Sequence, residues 1–397
     1  MSSNLPPQAK VKYQEYLDAG SIEDRIKKLE EFLSLVPKHK ATEKIVALNK
    51  SRLAKMKREL EERRQKQKST QKIVSPFSVK KEGIQVILIS NFLNPGVGKT
   101  SLLNYLTGAA EDKIGKFTPL PEIGIYDYQN IRFQIVEMPS IMEGASDGVG
   151  SGKEILSQLR SSDLICFCID LTRNITDQMN LLLKELSRAD IRINLPSPPL
   201  TIEKTGANKI QVLFLTKEAK DIKRSEELTK GIKEIVNENG IRNAIVKIYG
   251  DINLDNVIDV LTPSVVYKKV IILGTKGDLP HTQKPFELLK KKYLDKFPLI
   301  YGTSMKTNDF PKDFGEIILR FLRKIRIFTM NNNVIAKRPL IMDENPTVGD
   351  VALKVHRSFY ESFDHAIIIR EGERQKRKKV GLEYILKDMD IIEIHIT

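Results

Sequence analysis

One short stretch limits the folds open to this 397-residue chain more than any other. The apolar run IQVILIS, residues 84–90, is followed by NFLNPGVGKTSLLNYLTG, which contains Gly98-Lys99-Thr100 and ends in a helical pattern. A buried strand, a loop and a helix in this order form a phosphate-binding loop, in which backbone N–H groups and the helix N-terminus surround a phosphate. The stretch therefore predicts an α/β fold built around a nucleotide site.

Each residue type in this loop has a role in phosphate chemistry. Lys99 would reach the β- and γ-phosphates, and the Thr100 hydroxyl would ligate Mg²⁺. Gly98 lacks a Cβ, so the backbone can close on the phosphate. The usual pattern, G-x-x-x-x-G-K-[ST], places its first glycine at position 93, where this chain has Leu93. The predicted nucleotide-binding residues of the loop are Asn94, Gly96, Val97, Gly98, Lys99, Thr100 and Ser101.

Two later motifs predict which base is bound. TKGD, from Thr275 to Asp278, follows the strand-like run KKVIILG. A carboxylate there can accept hydrogen bonds from N1–H and the exocyclic amino group of guanine, whereas adenine would leave it unpaired. Lys276 would lie over the base, and the turn Ser304-Met305-Lys306 would offer a backbone N–H to the guanine carbonyl. We therefore expect GTP or GDP as the ligand; an ATP-using enzyme is the less favoured alternative.

The order of strand and helix patterns predicts the domain organisation. Residues 1–75 read as a helical hairpin, with helices at 22–36 and 41–60, followed by the basic connector EERRQKQKSTQK. Strands alternate with helices over 80–325, which favours a parallel sheet with helices on both faces. The long connection between LICFCID and KKVIILGT predicts an inserted α+β subdomain over about 175–262. Short strands and one helix over 326–397 indicate a small α+β module, with a capping-box pattern at its Thr347.

Composition narrows the partners and the compartment. Lys and Arg outnumber Asp and Glu by 14, which favours a polyanionic partner such as RNA, although a solvated surface is the alternative. We expect no signal peptide and no membrane span, because no stretch reaches the ~18 apolar residues that a span needs. The two cysteines, Cys166 and Cys168, lie in one predicted strand, and the five histidines lack metal-ligand spacing. These features fit a reduced cytoplasmic compartment and no zinc site. We predict no DNA specificity for the polyanionic partner.

A basic run near the C-terminus is a second candidate contact for RNA. EGERQKRKKVG contains five basic residues, namely Arg374, Lys376, Arg377, Lys378 and Lys379. On a loop between strands these side chains would present positive charge to a phosphate backbone. The alternative is a solvated loop.

Taken in order, the motifs resemble those of the DRG (developmentally regulated GTP-binding protein) branch of the Obg-type GTPases, in its archaeal-type form, over nearly the whole chain. HKATEKIVALNKSRLAKMKREL is similar to the family's N-terminal helices, FTPLPEIGIYDYQNIRFQIVEMPSIMEGASDGVGSG to its switch regions, and DIRINLPSPP to part of its insertion. PTVGDVALKVH and KKVGLEYILKDMDIIEIHI resemble its C-terminal TGS domain, a β-grasp module. The resemblance implies GTP binding, Mg²⁺-dependent hydrolysis, a role on or near the ribosome, and a small zinc-finger partner protein.

The switch regions of this chain depart from the family pattern on the phosphate side. By resemblance, Thr118 and Glu137 are the catalytic residues and would hold Mg²⁺ together with Thr100. Pro119 replaces a Thr of the family's FTTL and removes a backbone N–H. In the DxxG motif Glu137 replaces Asp, and Ser140 replaces the Gly whose N–H swings towards the γ-phosphate.

These departures decide what we expect of the activity. K⁺ is only weakly implied as a cofactor, because Gly96 replaces the Asn that helps to hold it in potassium-stimulated relatives, and the nearest Asn is Asn94. The guanine side is intact, so we predict a guanine-nucleotide switch of translation that hydrolyses GTP slowly or only with a partner. Whether it is an active GTPase stays open. The alternative is a pseudo-GTPase scaffold that binds RNA or protein through its helical and TGS domains.

Overall fold

The computed structural model describes residues 6–37, 42, 46, 49–50, 52–53, 56, 75–91, 96–116, 118–206, 209–216, 222–370 and 377–397. The chain divides into two compact units, residues 1–75 and 76–397. Within the described ranges, no helix combines the length and the apolar character needed to cross a membrane.

The secondary structure of the described residues alternates as the sequence predicts. The strands, in chain order, are β1 (Ile84–Ile89), β2 (Glu122–Tyr128), β3 (Ile131–Glu137), β4 (Leu164–Asp170), β5 (Ile191–Ile193), β6 (Leu200–Lys204), β7 (Ile210–Phe214), β8 (Ala244–Ile248), β9 (Val266–Thr275), β10 (Ile300–Gly302), β11 (Lys324–Asn331), β12 (Val334–Ile335), β13 (Leu340–Asp343), β14 (Phe363–Ile369), β15 (Lys378–Val380) and β16 (Asp390–Ile396). The helices are α1 (Pro7–Asp18), α2 (Ile22–Leu35), α3 (Lys99–Thr107), α4 (Gly152–Ser161), α5 (Ile175–Arg188), α6 (Ile222–Glu238), α7 (Leu254–Leu261), α8 (Gln283–Tyr293), α9 (Phe314–Phe321), α10 (Val348–Val355) and α11 (Arg357–Glu361).

The first unit is built on the apolar stripe of α2, which the sequence predicts. Leu29 and Phe32 lie three residues apart on one face of that helix and are fully buried. The Phe32 ring packs 4.9 Å from the ring of Tyr13 on α1, so α1 covers this face. The structure thus adds a helix, α1, to the hairpin expected from residues 22–36 and 41–60. Most of 41–60 and the basic connector lie outside the described residues.

The second unit is organised by a seven-stranded sheet. Its strands lie in the order β10, β9, β4, β1, β3, β2, and β5 extends it by pairing with β9. All neighbours pair in parallel except β2, which is antiparallel to β3. Because parallel strands point the same way, the carboxyl ends of β1, β3, β4, β9 and β10 meet at one edge, where open α/β sheets bind their ligands.

Helices cover both faces of this sheet, as predicted. On one face, α4, α5 and α8 bury side chains such as Leu289 against β1 and β4. On the other face, α3 and α9 bury Leu103 and Phe314 against the same strands. Cys166 and Cys168 both belong to the second core, which is the single face that their alternation in β4 predicts. The sheet edge is therefore fixed between two apolar layers.

Polar side chains cap several of the described helices at the positions where they begin. Asn174 accepts hydrogen bonds from backbone N–H groups at the start of α5. Asn253 and Thr347 form capping boxes at the starts of α7 and α10. Such caps satisfy backbone donors that have no partner within the helix. The capping box predicted at Thr347 is confirmed.

The insertion forms a separate three-stranded sheet with the order β6, β8, β7. Helices α6 and α7 bury its own core, which includes Ile232 and Val246. The expected insertion, 175–262, begins too early: α5 buries Met179 and Leu182 in the core of the main sheet, and β5 pairs with β9. An amphipathic helix after a parallel strand covers that strand's own sheet. The described strands and helices of the insertion therefore lie within residues 200–261.

The C-terminal module is a mixed sheet with one main covering helix. Strands lie in the order β12, β11, β16, β14, β15, with β13 also on β11, and β11 is parallel to β16. Val348 and Val351 of α10 pack on Ile327 and Ile368 of the sheet. Parallel central strands crossed by one helix make this module a β-grasp fold, as predicted for residues 326–397.

Candidate nucleotide-binding site

The phosphate loop occupies the carboxyl end of β1. Gly98 is the residue before α3, and its φ of 103° lies in the left-handed region that favours glycine. Gly96 also has a positive φ, 73°. The Thr275 hydroxyl donates to the Val97 carbonyl at 2.6 Å, which ties the loop to the end of β9. Thr275, predicted as a nucleotide contact, therefore joins the phosphate motif to the base motif.

Lys99 is buried beneath this loop and points at two serines. Its Nζ donates to Ser90 Oγ at 2.8 Å and to Ser140 Oγ at 3.0 Å. Burial lowers the pKa of Lys99, and the nearby charge of Glu137 opposes that shift. The ammonium is thus positioned by hydroxyls at the ends of two neighbouring strands.

The three predicted magnesium ligands come together around one carboxylate. The Thr100 and Thr118 hydroxyls donate to Glu137 Oε1 at 2.9 and 3.0 Å. Glu137 Oε2 is buried and has no hydrogen-bond partner among the described residues. Burial raises the pKa of Glu137, while Lys99 and the two threonines oppose the shift. A buried carboxylate with an unsatisfied oxygen, next to two hydroxyls, fits the oxygen-only donor set that Mg²⁺ prefers.

These groups line a cavity of about 210 Å³. Its lining residues are Gly96, Val97, Gly98, Lys99, Thr100, Ser101, Ile114, Gly115, Lys116, Thr118, Glu137 and Ser140. A second cavity of about 280 Å³ lies on the base side and shares Gly96, Gly98 and Ser101 with the first. The two cavities therefore adjoin at the phosphate loop, so that one nucleotide could place its phosphates in the first and its base in the second.

The base-side cavity contains the predicted guanine motifs. Ser304 Oγ donates to Asp278 Oδ1 at 2.7 Å, and this hydrogen bond holds the pKa of Asp278 below its usual value. Lys276 pairs through Nζ with the buried Asp170 at 2.8 Å. Met305 and Lys306 line the same cavity. The structure thus brings together TKGD and the 304–306 turn, which follow different strands of the sheet.

Asp170 and Glu185 are positioning residues that the sequence analysis did not find, the first for Lys276 and the second for the loop that follows β3. Asp170 ends β4 and fixes Lys276, which is 106 residues away. Glu185, buried on α5, accepts hydrogen bonds from the backbone N–H groups of Gly144 and Ser146 at 3.0 and 2.8 Å. A carboxylate directly after a buried strand is a signal that could have identified Asp170. No local pattern marks Glu185, because its partners belong to a distant loop.

Ser90 is a third residue that the sequence analysis did not find, and it changes which residue is matched to the first glycine of the phosphate-loop pattern. β1 ends at Ile89, so Ser90 is the strand-end residue beneath Lys99. Seven residues separate Ser90 from Gly98, instead of the four of the usual pattern. The usual spacing, with four residues between the two glycines, assigned the first-glycine position to Leu93. Leu93 lies outside the described residues. Ser90 therefore stands at the strand-end position that the first glycine of the pattern normally occupies, at the start of a longer loop.

Several other predicted residues lie outside the described part of the chain or away from the cleft. Asn94, Arg374 and Lys376 are among the residues that the structure does not describe. Lys378 and Lys379 are exposed at the start of β15 in the C-terminal module. The neighbouring Arg377 donates to Asn333 Oδ1 at 2.7 Å.

The fold and the cleft define a P-loop GTPase with a C-terminal β-grasp domain, and family models match the same regions. The model described as 50S ribosome-binding GTPase matches residues 94–196, and the C-terminal region of that domain matches 213–308. The TGS domain model matches 325–396. The first match begins inside the phosphate loop, after β1.

Similarity to full-length proteins identifies the family more narrowly than the domain models do. A GTP-binding protein of Methanocaldococcus jannaschii is 32% identical over 96% of this chain and 94% of its own length. Developmentally-regulated G-protein 3 of Arabidopsis thaliana is 29% identical, covering 94% of this chain and 99% of its own. Human developmentally-regulated GTP-binding protein 2 is 27% identical, with 94% and 98% covered. This chain belongs to the DRG family of GTP-binding proteins.

The solved structures to which the chain is similar include a GTP-binding protein of Pyrococcus horikoshii OT3. It is 15% identical, with a TM-score of 0.42, and covers 79% of this chain and 100% of its own.

Proposed function

We propose that this protein is a guanine-nucleotide switch that acts in translation on the ribosome or on RNA, in the cytoplasm. It would bind GTP and GDP with Mg²⁺ and convert GTP to GDP and phosphate slowly, or only with a partner. The observation that carries the proposal is the difference between the base side and the phosphate side of the cleft. Its base side has the motif residues in contact with each other, whereas its phosphate side has replacements at the residues that sense the γ-phosphate.

The base side supports guanine as the ligand. Asp278 is held by Ser304 and stays ionised at neutral pH, because its pKa lies below the usual value. An ionised carboxylate accepts two hydrogen bonds from guanine, and each such charge-assisted bond is stronger than a neutral one. Lys276 is fixed in place by Asp170.

Replacements at switch II support slow hydrolysis. Ser140 carries a Cβ where the family's glycine turns its N–H to the γ-phosphate. Ile141 follows it, is fully buried and donates its backbone N–H to the Ser90 carbonyl at 2.8 Å, so it offers no side chain to orient water. Loss of one oriented donor typically costs about 10²–10³ in rate. Mg²⁺, when bound, would offset phosphate charge, and Thr100, Thr118 and Glu137 would hold it.

The ribosome or RNA is the partner best supported by charge and by the family. The matched model is described as a ribosome-binding GTPase. Basic residues exceed acidic ones by 14, and Lys378 and Lys379 are exposed on the TGS domain. A backbone of phosphates attracts such a surface. A small zinc-finger protein, implied by the family resemblance, would be the stabilising partner.

The test is a pair of measurements on the full chain. Calorimetric titration with GDP and with a non-hydrolysable GTP analogue, both with Mg²⁺, should show binding of each. Steady-state GTP turnover without ribosomes should be slower, by a factor of about 10²–10³, than that of a relative with an intact DxxG motif. Lys99→Ala should abolish nucleotide binding. Turnover at the relative's rate would contradict slow hydrolysis.

The proposed ribosome or RNA partner can be tested with the same full chain. Binding to ribosomes should weaken as salt rises, and it should weaken further when Arg374, Lys376, Arg377, Lys378 and Lys379 are neutralised. Unchanged binding after neutralisation would remove this loop from the proposal.

The second candidate function is a pseudo-GTPase scaffold. It is favoured by the hydrogen bonds of Lys99, whose ammonium donates to the hydroxyls of Ser90 and Ser140. In that case neither nucleotide would bind, and Lys99→Ala would leave ribosome binding unchanged.

A further inference from the structure

Two serines that stand in place of pattern glycines touch each other in the cleft. Ser90 ends β1, and Ser140 follows β3 by three residues, 50 positions later in the chain. Their hydroxyl oxygens lie 3.0 Å apart, and both accept hydrogen bonds from Lys99 Nζ. The two hydroxyls and the ammonium therefore form one hydrogen-bonded cluster.

The hydrogens of this cluster can be assigned by counting donors. An ammonium has three N–H donors, and each hydroxyl has one O–H donor and two acceptor positions. Ser90 is fully buried, and among the described residues the only acceptor within hydrogen-bonding distance of its hydroxyl is Ser140 Oγ. A buried hydroxyl donates where it can. Ser90 therefore donates to Ser140, which leaves the Ser140 hydrogen for another acceptor.

The position of Ser140 shows where that hydrogen can go. Ser140 is half-buried and lines the phosphate cavity together with Lys99, Thr118 and Glu137. It receives hydrogen bonds from an ammonium and from a hydroxyl, and accepting such bonds polarises its own O–H and makes it a better donor. One N–H of Lys99 also remains for an acceptor in the cavity. An anionic oxygen is the acceptor that would use both donors.

We propose that Ser90, Lys99 and Ser140 form a subsite for the terminal phosphate of bound GTP, in which the Ser140 hydroxyl donates to a phosphate oxygen. The inference rests on the proposed function in so far as a guanine nucleotide must occupy this cleft. The hydroxyl takes over the ground-state contact that a glycine N–H makes in the family pattern. The protein would then distinguish GTP from GDP even though its hydrolysis is slow.

The experiment compares nucleotide affinities of the full chain and of single variants. Ser140→Ala removes the hydroxyl and keeps the Cβ. It should weaken binding of the non-hydrolysable GTP analogue with Mg²⁺ by about 10- to 100-fold, the usual range for one hydrogen bond to a charged group. GDP affinity should change by less than about threefold, because GDP lacks the terminal phosphate. Calorimetry gives both values, and thermal melting checks folding.

Two further variants complete the test. Ser161→Ala is the matched control, since its hydroxyl donates only to the Gln158 carbonyl on the surface of α4; it should change neither affinity. Ser140→Gly removes the hydroxyl but restores the residue of the family pattern, so it should bind the analogue better than Ser140→Ala does. If Ser140→Ala does not fold, the affinity of Ser140→Gly for the analogue, compared with that of the unmodified protein, tests the role of the hydroxyl.

The outcomes separate this inference from the proposed function. If the unmodified protein binds both nucleotides and Ser140→Ala binds the analogue as well or more tightly, the serines only hold Lys99 before nucleotide arrives, and the subsite is overturned alone. If the unmodified protein binds neither nucleotide, the proposed function fails and the subsite fails with it. A selective loss of analogue affinity supports both.

Discussion

At the scale of single residues, Asp278 is the side chain that we propose selects the base. Its carboxylate is oriented by Ser304 at 2.7 Å, and its lowered pKa keeps it ionised. Asp278→Ala removes the acceptor of two charge-assisted hydrogen bonds, each worth about 1.5–3 kcal/mol. We therefore expect GDP affinity to fall by about 10²–10⁴, measured by calorimetry, without a gain in ADP affinity.

A surface carboxylate provides the control for that measurement. Asp295 is exposed after α8, and Asp295→Ala should leave GDP affinity unchanged. A loss below tenfold for Asp278→Ala would show that the base is held mainly by other groups.

The places of single site residues could be predicted from the sequence where a motif is local. Lys99, Asp278 and the 304–306 turn each lie in a short pattern that follows an apolar strand, and the structure places them in one cleft. Ser90 and Asp170 could not be identified as partners, because their contacts join residues 9 and 106 positions away through the order of the sheet. Sheet order is a property of the whole domain, which local patterns do not contain.

At the scale of secondary structure elements, α5 fixes the loop that follows β3. Burial alone would raise the pKa of Glu185, but hydrogen bonds from Ser146 and Gly144 lower it below the usual value. Glu185→Gln keeps one acceptor and turns an N–H₂ towards backbone donors. We expect the free energy of unfolding to fall by about 1–3 kcal/mol in chemical denaturation. Glu234→Gln, exposed on α6, should change it by less than about 0.5 kcal/mol.

The same carboxylate predicts a dependence on pH. Because its pKa is lower in the folded than in the unfolded protein, its contribution is complete above the unfolded value and is lost as pH falls through the folded value. The difference in unfolding free energy between the unmodified protein and Glu185→Gln should therefore shrink below about pH 4. A difference that stays constant down to pH 3 would show that the effect is one of packing and not of charge.

Element boundaries were predictable only in part. Periodicity predicted the strands of the main sheet and the α10 cap, because apolar patterns and capping residues are local. It placed the start of the insertion at 175, although α5 belongs to the main sheet. An amphipathic helix has the same pattern whichever sheet it covers, so the sequence could not decide between the two.

At the scale of the whole second unit, Arg326 joins the TGS domain to the GTPase sheet. Its guanidinium contacts Glu316 on α9 at 2.9 Å, and Gln129 in the turn between β2 and β3 at 3.1 Å. It also pairs with Asp388 of the TGS domain at 2.5 Å. The turn at Gln129 connects the strand after switch I to the strand before switch II. One side chain therefore links the TGS domain to the segment between the switches.

Removing this side chain should loosen the TGS domain more than it harms the nucleotide cleft. Arg326→Ala removes the cation that pairs with Asp388, while Glu316 keeps its pair with Arg320. Because Arg326 is only 11% exposed, we expect the free energy of unfolding to fall by about 1–3 kcal/mol. Hydrogen exchange should become faster in β11 and around Asp388, while exchange in β1 and GDP affinity stay unchanged. Arg338→Ala, an exposed arginine of the same domain, is the matched control. Equal protection of β11 in both variants would mean that apolar contacts alone hold the TGS domain, and that Arg326 does not connect it to the switches.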